Sequence, residues 1–127
     1  MVKSNFVYFN SRDELLRVDL SQVVYFEADG NYTHLVTANK LKLTLGMNLS
    51  HTEQRLAAHL GTAAGTFMRI GKRYIVNIAF ICQVNMAKQQ LMVTDYRRFN
   101  YVLPVSKDAL KRVRELLVGV GSNSAEK

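Results

Sequence analysis

Three short stretches of this 127-residue chain carry the side chains best suited to chemistry: Asn31-Tyr32-Thr33-His34, Arg69-Ile70-Gly71-Lys72-Arg73 and Ser106-Lys107. They combine amides, hydroxyls, an imidazole and cations. Such groups donate hydrogen bonds to phosphate oxygens and base edges, and a lysine reaches O6 and N7 of guanine in the major groove. Taken singly, each stretch also fits a solvated turn. Together they describe a surface for a polyanion, provided that the fold gathers them on one side, which spacing does not reveal.

Bond-making chemistry has less to stand on. His51 and His59 lie two helical turns apart, too far for one metal without further ligands, and His34 falls on a strand. Glu27 and Asp29 flank a turn and read equally well as a structural pair. No glycine-rich phosphate loop, G-x-S-x-G turn or H-E-x-x-H motif is present. The lone Cys82 lies in a β-branched and aromatic run and is expected to be a small buried hydrophobe, not a nucleophile. The reading is therefore a non-enzyme with no metal, cofactor or small-molecule substrate.

Charge favours binding. Between Gln54 and Lys107 stand eight cations against the single anion Asp95, which accounts for the whole net charge of +7. The remaining residues carry nine of each sign. An excess confined to one stretch suits a surface that meets a polyanion, although a solubilising role would leave the same trace. The size is that of one domain, able to bury about two-thirds of the surface its unfolded form exposes. No apolar run approaches the ~20 residues of a membrane helix, and acids stand where a signal peptide would have its apolar core, so a cytoplasmic protein is expected.

The elements that must position these side chains follow from periodicity. Phe6 to Phe9 and Glu14 to Val18 read as strands across a turn, and Val23 to Glu27 is a β-rich run halted by Asp29-Gly30 before Tyr32 to Thr37 returns. Lys40 to Leu45 alternates strictly, which puts Leu41, Leu43 and Leu45 on a core face. The period then becomes helical. Ser50-His51-Thr52-Glu53 fits a capping box, Leu56, His59 and Leu60 share a face, and Gly61 stops the helix before a loop at Thr62 to Gly65. Strands are expected at Tyr74 to Asn77 continuing to Val84, at Leu91 to Thr94 and at Asn100 to Val105. Ser106 then caps a helix whose inner face is Leu110, Val113 and Leu117. Phe67, Tyr74 and Phe80 look like core. Tyr32 and Tyr96 are the only aromatics offered for base stacking.

Three segments, in order, resemble the LytTR-type DNA-binding domain of bacterial transcriptional regulators: Val24 to Thr33 (VYFEADGNYT), Phe67-x-Arg69-x-x-Lys72-x-Tyr74-x-Val76-Asn77, and Leu103-Pro104-Val105-Ser106-Lys107. The resemblance spans roughly Phe6 to Leu117. It implies a mostly β fold, a LytTR-like arrangement of short antiparallel sheets with one helix mid-chain and one at the C-terminus; residues 1–118 are read as that domain and the polar residues 119–127 as a flexible tail. It also implies a sequence-specific regulator that contacts major grooves of double-stranded DNA through loops, commonly at direct repeats in promoters and with a second copy on the DNA. The base-reading positions it implies are Asn31, Tyr32, Thr33 and His34 after the Glu-Ala strand, Lys72 with Arg69 and Arg73 before Val-Asn, and Ser106 with Lys107 after Pro-Val. Lys72 is expected near base edges and Arg73 near phosphate, whereas Arg69 either touches DNA or pairs internally with Glu27 or Asp95. Asn77 is expected to cap a strand or turn. Many relatives have histidine at Gly71, serine at Arg73 and arginine at Lys107, so the family's recognised sequence does not transfer. A protein-interaction module or an RNA-binding module using the same basic surface is the alternative.

Overall fold

A computed structural model describes residues 5–61 and 66–121; the expected loop at Thr62 to Gly65 and the end of the expected tail, residues 122–127, lie outside them. The described chain is mostly β with two helices. Strands β1 (Phe6–Asn10) and β2 (Leu15–Asp19) form a hairpin. β3 (Val23–Asp29), β4 (Tyr32–Thr37), β5 (Lys42–Leu45), β6 (Phe67–Ile70) and β7 (Tyr74–Asn77) form a five-stranded sheet in the order β5-β4-β3-β7-β6. β8 (Ile81–Asn85), β9 (Gln90–Thr94) and β10 (Asn100–Pro104) make a three-stranded sheet. All pairings are antiparallel. Helix α1 (Leu49–Leu60) follows β5, and α2 (Lys107–Gly121) follows β10.

The five-stranded sheet is the middle layer, because its strands are apolar on both faces. Ile75, Phe26, Leu35 and Leu45 point to one side and pack with α1 and the β1–β2 hairpin. Tyr74, Val76, Tyr25 and Val36 point to the other and pack with the three-stranded sheet and α2. A bulge between Val23 and Tyr25 lets consecutive residues Val24 and Tyr25 serve the same core. Two cores sharing one sheet explain why Val23 to Phe26 and Tyr74 to Asn77 are buried without alternation.

Several expectations hold. Gly30 has φ +60 as the first of two loop residues between the paired Asp29 and Tyr32, the pattern of a type II′ hairpin. Gly61 ends α1 with φ 56. The Ser106 hydroxyl accepts from the Ala109 N–H at 3.3 Å, and Leu110 and Val113 are fully buried. Asn77 donates to the Val23 carbonyl at 2.9 Å and accepts from the Ala79 N–H at 3.0 Å, the strand-and-turn cap expected of it.

Others are corrected. Helix α1 is capped by Asn48, whose side chain accepts from the His51 N–H, two residues before the expected Ser50; starting there puts Leu49, Thr52, Leu56 and Leu60 on the buried face. Leu41 is exposed, since pairing of β5 begins at Lys42. β6 is a strand that periodicity passed over, and the run from Tyr74 to Val84 is broken by a 3-10 turn at Ile78–Phe80 that carries the chain from one sheet to another. Cys82 is exposed: it lies on the edge strand β8, beside a bulge between Ile81 and Gln83, and its Sγ is 3.3 Å from the Tyr96 hydroxyl.

Candidate nucleic-acid interface

The three sequence stretches lie at one end of the five-stranded sheet. Glu27 pairs with Tyr74, and the Ala28 N–H donates to the Arg73 carbonyl at 2.8 Å, so the β3–β4 and β6–β7 turns sit side by side. The first turn of α2 stands against the second of them: a β-carbon at Gly71 would lie 3.9 Å from Cβ of Ala109. Gly71 has φ +64, the left-handed conformation that folds the loop Gly71–Arg73 back between the paired Ile70 and Tyr74.

The nine expected site residues divide by what they touch. Asn31 and Tyr32 are exposed on the β3–β4 turn. Thr33 is fully buried; its hydroxyl donates to the Met47 carbonyl at 2.9 Å and receives the Thr52 hydroxyl at 3.3 Å, so its side chain joins β4 to the start of α1 and turns away from the surface. Alternation along β4 requires this, because Thr33 shares a face with Leu35. His34 is held between the Asp29 carboxylate, 2.7 Å from Nε2, and the Thr44 hydroxyl, 2.9 Å from Nδ1. A carboxylate only accepts, so Nε2 carries the proton in this arrangement.

Arg69 is a strut. Its guanidinium donates to the carbonyls of Gly71 and Lys72 and to the Glu53 carboxylate at 2.8 Å, tying the β6–β7 turn to itself and to α1. The expected internal partner was Glu27 or Asp95; Glu53 takes that place because α1 packs across the sheet over β3, β4 and β7, the last of which is the strand paired with β6. Glu27 pairs with Arg73 at 2.7 Å, with the Arg73 guanidinium also 5.3 Å from the Tyr74 ring centroid. The hydrogen bond to Glu27 raises the Arg73 pKa further, and burial followed by the Glu27 charge pushes Tyr25, edge-on to Tyr74, up to about 12. Asp95 is occupied elsewhere, accepting from three backbone N–H groups of its own turn.

Lys72 and Lys107 are exposed and make no side-chain hydrogen bond or ion pair among the described residues. Ser106 is exposed beside them with its hydroxyl engaged by Ala109. One cation at this end went unread in the sequence. Arg112 lines a cleft together with Arg69 and Lys72; its i+3 spacing from Ala109, which puts both on one side of α2, is the only signal of this in the sequence. Among the described residues no group of three or more His, Cys, Asp or Glu side chains could hold a metal, and no helix is long and apolar enough to cross a membrane.

The family model of the LytTr DNA-binding domain matches residues 13–118. The heme-containing CO-sensing transcriptional regulator RcoM 2 of Paraburkholderia xenovorans (strain LB400) is 29% identical over 112 residues, which cover 87% of this chain. The match spans only 38% of that relative's length. The solved LytTr DNA-binding domain of a DNA response regulator from Bacillus cereus is similar in fold, with a TM-score of 0.62 at 22% identity over 90% of this chain and 97% of that one.

Proposed function

The chain belongs to the LytTr DNA-binding domain family, and from that membership we propose that it is a sequence-specific regulator of transcription that reads duplex DNA through the turns at one end of its central sheet. Residues 1–118 serve as the DNA-binding domain and the last residues as a tail. Two copies bind at direct repeats in a promoter, each placing turns in the major groove. The observation that carries this reading is the convergence of Lys72 and Lys107, distant in sequence, at the end of the sheet where the β3–β4 and β6–β7 turns and the start of α2 meet. Both lysines are exposed, and neither is neutralised by a carboxylate among the described residues. An ammonium in water gains little from being held there; against the clustered phosphates of a duplex it releases counterions, and within a groove it donates to base edges.

Asn31 and Tyr32 form the neighbouring arm of the surface, Lys72 its centre and Ser106 with Lys107 its far side. Thr33, Arg69 and His34 support these positions from behind. In this reading Arg73 contacts phosphate only when it leaves Glu27.

Selection of ligands from a random duplex pool by the purified chain at physiological salt tests the proposal. An enriched motif, repeated about one helical turn apart, is the expected result. Retention without enrichment reduces the role to counterion-release affinity, and preferential displacement by single-stranded RNA or by an acidic polymer turns it into one of the alternatives.

A further inference from the structure

Between the β6–β7 turn and α2 lies a cleft of about 370 Å³, walled on one side by the segment from Met68 to Lys72 and on the other by Ala109 and Arg112. Its floor is apolar, formed by Met68, Ile70 and Ala109, and no carboxylate lines it. Gly71 forms part of its wall opposite Ala109, where a β-carbon would lie 3.9 Å from Cβ of Ala109. The three cations around it are not equivalent. Arg69 is consumed by the turn carbonyls and Glu53. The side chains of Lys72 and Arg112 make no hydrogen bond or ion pair among the described residues, and the two line the space from opposite walls.

We infer that this cleft seats a backbone phosphate of the duplex, with Arg112 as a DNA contact outside the three turn segments. The inference rests on the proposed function and deepens it. A guanidinium presents a planar pair of donors that matches two phosphate oxygens, which suits Arg112 to the backbone more than the point charge of Lys72. Glu53, the carboxylate bound to Arg69, is not among the residues that line the cleft, so an anion seated there meets Lys72 and Arg112 with no carboxylate in the lining. The contact holds α2 and the β6–β7 turn in one register on the backbone and so sets how far Lys72 reaches toward base edges, the positioning role that phosphate contacts perform.

The test is a salt titration of binding by the full chain, read by fluorescence anisotropy on the selected duplex and on a scrambled one. Arg112→Ala is compared with Arg114→Ala, which removes the same charge from an exposed position of α2 that does not line the cleft. Arg112→Ala should weaken both duplexes alike and lower the slope of log affinity against log salt by about 0.9, so that the affinity lost between roughly 50 and 200 mM salt shrinks about 3.5-fold. Arg112→Lys should keep the slope while binding less tightly than the parent. Equal slopes for the Arg112→Ala and Arg114→Ala variants would overturn the assignment while leaving the proposed function intact. Absence of duplex binding by the unmodified chain would sink both. Because Arg112 is exposed, unchanged thermal unfolding certifies that the variants are folded.

Discussion

The Arg73 guanidinium and the Glu27 carboxylate meet at 2.7 Å across the β3–β7 pairing, at the edge of the surface where the free lysines stand. With 57% of the Arg73 side chain exposed, water screens the pair, which is worth at most ~1 kcal/mol of stability. A bond this weak can be exchanged for a phosphate. Arg73→Ala should therefore weaken all duplexes alike and lower the salt slope by about 0.9, while Glu27→Gln, which frees the cation, should raise affinity for unrelated duplexes. An unchanged slope in Arg73→Ala would show that the arginine remains on Glu27 in the complex.

Lys72 is the test of base reading. Lys72→Ala should cost roughly 1–3 kcal/mol on the selected site and change which bases are enriched when the selection is repeated. Weakening without a change in the motif would reassign Lys72 to the backbone.

Thr33 makes the opposite prediction to its neighbours. Because its buried hydroxyl donates to Met47 and receives Thr52, Thr33→Val should lower stability in denaturant unfolding by about 1–2 kcal/mol and leave the enriched motif as it was. A changed motif at unchanged stability would return Thr33 to the contact surface.

Asp95 should give acid a specific point of attack. Burial pushes its carboxyl upward, but the N–H groups of Arg97, Arg98 and Phe99 and the Arg98 guanidinium outweigh that and hold it well below its ordinary value of 3.8. A depressed folded value stabilises the protein above the unfolded value, and that contribution disappears as pH falls through 3.8 toward the folded one. Asp95→Asn should accordingly lower Tm at pH 7, with the gap to the parent closing below about pH 4. A gap independent of pH would show that the carboxylate's charge is immaterial to the turn.

Local features that depend only on nearest neighbours were legible in the chain. Gly30 and Gly61 occur where positive φ is needed, Ser106 precedes the apolar stripe of α2, and Asn77 follows a β-branched run, so each role follows from a residue type and its immediate context. The family was legible for a similar reason, because its motif residues keep their order and approximate spacing along the chain. Where the signal was divided between elements it was lost. β6 has only Ile70 buried, so its pattern does not announce a strand, and Cys82 looked internal because its neighbours Ile81 and Val84 pack against a core from which the bulge between Ile81 and Gln83 turns Cys82 away.

Residue types and their order along the chain establish which groups could meet a polyanion and that the whole excess of positive charge lies between Gln54 and Lys107. Which of those groups are available depends on packing between elements. Glu53 and Glu27 engage Arg69 and Arg73, the alternation of β4 buries Thr33, and the packing of α2 on the β6–β7 turn brings in Arg112. The physical reason is that a charge is neutralised by whatever lies within a few ångströms, and across strands and helices that neighbour is chosen by packing, not by distance along the chain.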